Sequence, residues 1–292
     1  MRRVLSAAAA PSCSGLALAC VSILSLFLAN PASAQISIPA DLRNDQVEIS
    51  YVVPRNAAFR PLYERYKNRQ VLEQLRAFMA PLSLTRKVTF KIDQCGRMNA
   101  VFQPGGGVTI CYEYLAQIDK LAPTEKTVLG VTREMAIAGA FIQVALHEVS
   151  RVVFDVLKIP VWGRESDAAD KLAGFLMLQF GQDVALTTLR GTAHFFEASE
   201  RTWTGSDFSD VLAPEAQRFY NYLCIAHGGP SSEAFRPFLT QIKFLELSRA
   251  KRCTQEYADL RWAFQKTILP HVDQDLMERV QKMPILLPRE MK

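Results

Sequence analysis

The stretch from Thr132 to Phe180 reads TREMAIAGAFIQVALHEVSRVVFDVLKIPVWGRESDAADKLAGFLMLQF. No proline interrupts residues 133–157, and the middle of that run is apolar on nearly every helical face. A helix of that kind is buried rather than laid on a surface. Thr132 is a suitable N-cap, and Pro160 stops the helix. A second helix is predicted over residues 165–180. Three acids in its first turns suit the positive end of the helix dipole, and Gly181 is placed to end it. Inside the first helix stand His147 and Glu148. Burying an imidazole and a carboxylate among valines and leucines is costly unless they are paired or bound to a metal.

Outward from this core the chain is mixed. Residues 47–53 (VEISYVV) and 87–92 (KVTFKI) have the alternating β-branched and aromatic pattern of strands. A helix over residues 61–80, opened by Pro61 and closed by Pro81, lies between them. Residues 99–102 and 108–112 flank the turn Pro104-Gly105-Gly106-Gly107 and predict a hairpin. Later amphipathic stretches at 214–225, 235–247 and 257–269 are separated by turn residues such as Gly228-Gly229-Pro230. The pattern predicts an α+β fold, with a small antiparallel sheet packed on helices.

Residues 1–34 read as a secretory signal peptide. Arg2 and Arg3 precede an apolar run too short for a membrane span, and Ala32-Ser33-Ala34 offers a cleavage site after Ala34. The protein is therefore expected to be secreted or periplasmic. Residues 35–292 are expected to form a single domain, with a helical C-terminal lobe from about residue 182. The formal net charge of +5 drops when the two signal arginines leave. The mildly basic remainder gives no case for nucleic acid, or for a membrane after signal cleavage. Cys13 and Cys20 leave with the signal, and Cys95, Cys111, Cys224 and Cys253 remain. Four cysteines in an exported chain suggest two disulfides with three possible connectivities, of which the local pairs Cys95–Cys111 and Cys224–Cys253 are favoured. Their spacing does not suit a cysteine zinc site. There is no Gly-rich phosphate loop, no GxSxG, and no cysteine with a base partner. His194, His227 and His271 lack ligand spacing, and Trp162, Trp203 and Trp262 are read as packing residues.

The zincin signature, HExxH on a helix, sets two histidines at i and i+4 on one face to bind zinc. Its Glu is the general base for a zinc-bound water. Here the string is HEVSR, with Arg151 at the second histidine position. The surrounding LHEVSRVVFDVLKIPVWGRESDAAD resembles a family of secreted bacterial proteins labelled zinc metallopeptidases from that motif. These read roughly LHELGHALIDVLDLPVLGREEDAAD at this place. The likeness extends to Cys95, Gly96, Asn99, Ala100 and Phe102, to residues 110–113 (ICYE), to RFYN and Cys224 at 218–224, and to residues 249–258. The resemblance implies a zincin-like fold, with His147 as first metal ligand and Glu148 as general base. It also implies Asp170 as the outer partner of His147, and a third ligand where this chain has Ser166. Arg151 and Ser166 thus replace two ligands. Arginine has no lone pair and stays protonated, so no cofactor is expected.

Arg151 lies at i+3 from Glu148 and within reach of Glu165 or Asp167, where its charge could stand in for the ion as part of a buried network. The expected role is then that of an inactive, metallopeptidase-like protein that binds a peptide or protein partner. The hairpin at Gly105–Gly107 is a candidate edge for strand addition. Two readings compete with it. One is an active metallohydrolase using His147 with Glu165, Asp167 or Asp170 as ligands, zinc being its expected cofactor. The other is an unrelated structural protein in which His147 and Glu148 form an ordinary buried pair.

Overall fold

The computed structural model describes residues 38–200, 213–230 and 246–283, with positions 233, 235 and 239 between them. The expected signal peptide and Trp203 lie outside the described residues, as does most of the stretch expected to be helical over 235–247. Gln35–Lys292 forms one compact unit.

The fold is α+β, with a four-stranded sheet beside a mostly helical remainder. The strands are β1 (Val47–Tyr51), β2 (Val88–Asp93), β3 (Ala100–Phe102) and β4 (Gly107–Cys111), in the order β1-β2-β4-β3. The sheet is mixed, not antiparallel as expected. β1 runs parallel to β2 and β2 parallel to β4; the β3–β4 hairpin is the antiparallel pair. The cause is the connection. Helices α1 (Arg60–Asn68) and α2 (Val71–Phe78) carry the chain from the end of β1 back to the start of β2, as parallel strands require. The expected single helix over 61–80 is these two, broken where Gln70 takes a left-handed conformation with φ 52°. Gly107 is fixed by the sheet: a Cβ there would lie 2.1 Å from the Thr89 carbonyl oxygen in β2.

β4 leads into α3 (Tyr112–Leu121), and then into the central helix α4 (Arg133–Val156). The Thr132 side chain caps α4 by accepting from the Met135 amide at 3.2 Å, as its sequence predicts. From Gly139 to Ser150 every residue of α4 is buried. The helix is long and apolar enough to cross a bilayer, but the rest of the fold buries it. Helix α5 (Glu165–Leu178) packs on one side of it and α6 (Gln182–Glu200) along another. The α4–α6 crossing is close because of two glycines. A Cβ on Gly191 would meet the Met135 carbonyl oxygen at 1.9 Å, and the Thr192 hydroxyl donates to the Gly139 carbonyl at 3.0 Å. Helices α7 (Glu215–Gly228), α8 (Leu247–Thr267) and α9 (Gln274–Gln281) complete the described fold.

Both favoured disulfides are present. Cys95–Cys111 braces the hairpin, with Cα atoms 5.5 Å apart, and Cys224–Cys253 ties α7 to α8 at 5.0 Å. Two disulfides suit an oxidising compartment outside the cytoplasm. The tryptophan reading is corrected: Trp162 is 95% exposed and Trp262 62% exposed. Trp162 sits on the loop between α4 and α5, and Trp262 on the outer side of α8, so neither packs in the core.

Candidate functional site

The site lies where α4, α5 and α7 meet. His147 and Asp170 are both buried, and Nδ1 of His147 is 2.7 Å from Oδ1 of Asp170, the contact expected of this pair. Four more contacts converge on that carboxylate. Arg218 on α7 donates from Nε to Oδ2 at 2.7 Å and from Nη2 to Oδ1 at 2.9 Å. The Tyr222 hydroxyl and Gln143 Nε2 reach Oδ1 at 3.3 Å and 3.2 Å. Burial alone would raise the Asp170 pKa, but Arg218 and His147 hold it well below the usual carboxylate range. An ionised carboxylate only accepts, so Nδ1 of His147 carries the shared proton and Nε2 is left with the lone pair when the ring is neutral. The Arg218 guanidinium also stacks over the Phe196 ring, 4.7 Å from its centroid.

Glu148 is one residue on and faces a different neighbourhood. Its Oε2 is buried without a hydrogen-bond partner among the described residues. Arg151 approaches it, with Nη1 3.6 Å from Oε2, and donates from Nε to Glu165 Oε1 at 2.9 Å. The guanidinium lies over the Phe102 ring of β3 at 5.3 Å. The hairpin is held there by Asp155 at the end of α4, which accepts from the Gly105 amide at 3.2 Å and pairs with Arg86. The expected Arg151 network therefore includes Glu148 and Glu165. Asp167 instead faces Arg164, at 3.8 Å. The network is less buried than expected: the Arg151 side chain is 28% exposed and that of Glu165 49%. A pair that open to water is worth about 1 kcal/mol or less, so it does not lock α4 to α5 as a buried network would. Ser166 is buried on α5, one residue beyond Glu165.

Burial raises the Glu148 pKa above its ordinary value, against the opposing charges of His147, Arg151 and Arg218. An acid whose folded-state pKa is raised stabilises the fold below its unfolded pKa and loses that contribution as pH rises through the folded value. Glu148→Gln is therefore expected to leave thermal stability near wild type in acid, and to raise it progressively towards neutral pH. Melting curves of both proteins across that range check this; parallel curves would remove the buried-charge account.

The donor set does not fit a zinc ion. Nε2 of His147 keeps a lone pair, but the second ligand position implied by the family resemblance holds the guanidinium of Arg151, and the third the hydroxyl of Ser166. Among the described residues, the group of His, Cys, Asp and Glu close enough to share an ion is Cys95, Cys111 and Glu113, and its cysteines form a disulfide. Arg218, Tyr222 and Gln143 escaped the sequence reading. Gln143 was detectable: it lies four residues before His147, a polar side chain on the same face of an apolar helix.

Beside Arg151, β3 forms one edge of the sheet. The Gln103 amide donates to the Gly107 carbonyl and the Cys111 amide to the Asn99 carbonyl. The paired positions therefore fall at 99, 101 and 103, and the backbone groups of Ala100 and Phe102 face the outer side of that edge, where no described strand pairs.

No curated protein sequence and no solved structure matches the chain. The family model that does match spans residues 51–268, from the last residue of β1 to the end of α8, and takes in the whole His147–Asp170–Arg218 cluster. On that match the chain belongs to the family described as "putative metallopeptidase".

Proposed function

We propose that this chain is an exported, non-catalytic member of its family, whose former metal site is held by Arg151 and whose remaining role is to bind an extended peptide or protein segment. The observation that carries the reading is the position of the Arg151 guanidinium. It lies beside Glu148, is bonded to Glu165, and covers Phe102 at the sheet edge. A fixed cation among carboxylates repels a second cation, and it offers no ligand atom. The residues that remain supply neither an activated water nor a third ligand, so no hydrolytic step is derived from them. The alternative ligand set draws little support, because Asp170 is already bonded to Arg218, His147, Tyr222 and Gln143. The open edge of β3 suits a partner in strand form.

Metal content tests the reading. The purified protein is expected to carry well under one zinc ion per chain by inductively coupled plasma mass spectrometry, before and after incubation with zinc. Near-stoichiometric zinc that disappears in His147→Ala would falsify it.

A further inference from the structure

On the side of α4 facing away from Glu148 and Arg151 lies an apolar cavity of about 230 Å³. Val149 and Val153 of α4, Phe175 of α5, Phe264 of α8 and Val280 of α9 are among the residues that line it. Successive helix residues are about 100° apart. Val149 and Val153 therefore point roughly opposite to His147 and Arg151, and the cavity is separate from the site described above.

Two features suggest a ligand of definite chemistry. The first is size: a dry cavity of about 150 Å³ holds a benzene molecule, and this one is half as large again. The second is charge. Among the described residues lining the cavity, Arg261 is the single charged side chain. It is exposed and makes no ion pair with the described residues, and Gln265 and Gln281, also exposed, line the same cavity. An apolar interior with an unpaired guanidinium and two amides around it complements an alkyl chain ending in a carboxylate.

We infer that this cavity binds a medium-chain fatty acid, its chain among Val153, Phe175 and Phe264 and its carboxylate on Arg261. Titration calorimetry with decanoate, and with decanol as the uncharged control, tests this on the purified protein. Decanoate is expected to saturate a single site. Arg261→Glu, a surface change whose fold is checked by melting, is expected to weaken decanoate by about tenfold or more through loss of a charge-assisted contact. Decanol binding should change little. Filling the cavity with Leu176→Trp is expected to abolish both. Absence of saturable decanoate binding overturns the inference, as does a decanoate affinity that Arg261→Glu leaves unchanged. The segment Pro284-Ile285-Leu286-Leu287-Pro288 follows α9 in the sequence and is itself apolar. Decanoate binding that appears only after deletion of residues 284–292 would make that segment the occupant, and would equally overturn the inference.

Discussion

Arg151→His combined with Ser166→Glu is expected to give a protein that takes up about one zinc ion per chain, against the value well under one expected of the unaltered protein. The first change sets two imidazoles at i and i+4 on α4, on the same face. The second adds a carboxylate on the neighbouring turn of α5, completing the three protein ligands a catalytic-type zinc site needs. Much of the remaining site is already organised. Asp170 fixes the His147 ring through Nδ1, and an outer carboxylate of this kind raises the basicity of the ligating nitrogen. Removing Arg151 also frees Glu148 and Glu165 from their cation. The effect on stability has a distinctive sign. Without metal the double variant is expected to be less stable than the original chain, because a carboxylate has been added at the buried Ser166 position without a partner. With zinc at about a thousand times its dissociation constant, binding contributes about 4 kcal/mol and should carry the melting temperature past that of the unaltered protein. Each single variant is expected to bind only weakly, since two ligands do not hold the ion. Metal analysis and melting with and without a chelator read all of this. A folded double variant that takes up no zinc would show that α4 and α5 are not set at metal-binding distance, and would remove the basis for reading Arg151 as a substitute for an ion.

How far the sequence speaks for itself differs from element to element. The central helix was legible because its signals are local: a threonine cap, an unbroken apolar run and a terminating proline. The hairpin and its disulfide were legible for the same reason, since the Pro104–Gly107 turn sets both the turn and the distance between Cys95 and Cys111. Strand partners were not. Residues 47–51 show that β1 is a strand, but its parallel pairing with β2 follows from how α1 and α2 fold back, and periodicity carries no trace of that. The break at Gln70 has no glycine or proline to announce it. Helix α6 falls in the lobe expected to be helical from about residue 182, but the reason for its Gly191, close approach to α4, is not visible in the sequence. In the site, HEVSR and the family resemblance pointed to His147, Glu148, Arg151, Ser166 and Asp170, and of these the His147–Asp170 and Glu148–Arg151 contacts are present. Their chemical state depended on a residue nearly fifty positions further on. Arg218 stands on an amphipathic helix, where an arginine ordinarily points to water. Only the fold shows that it points inward.

Arg218 therefore carries the second large expected effect. Arg218→Ala is expected to destabilise the protein by about 3–5 kcal/mol, the usual cost of removing one partner of a buried pair. The cost arises mainly from what is left behind. Asp170 is almost fully buried and would lose two charge-assisted bonds at once, while still accepting from His147, Tyr222 and Gln143. Arg218→Lys keeps the charge but not the two-pronged geometry, and should fall between the two. Acid titration separates this account from a simple packing loss. An acid whose folded-state pKa is depressed stabilises the fold above its unfolded pKa, and loses that contribution as pH falls towards the folded value. The unaltered protein should thus lose stability as pH drops below the ordinary carboxylate range. In Arg218→Ala the depression is largely removed, so the slope should flatten, and it should reverse if burial then dominates. Replacing Asp170 by Leu as well as Arg218 by Met removes both charges, and is expected to recover part of the loss. Recovery stays incomplete because His147 Nδ1, the Tyr222 hydroxyl and Gln143 Nε2 each lose their acceptor on Asp170. Urea unfolding of the single and double variants at neutral and acid pH measures every one of these terms. A loss in Arg218→Ala that does not vary with pH would place the effect in the stacking on Phe196 instead of in the ion pair.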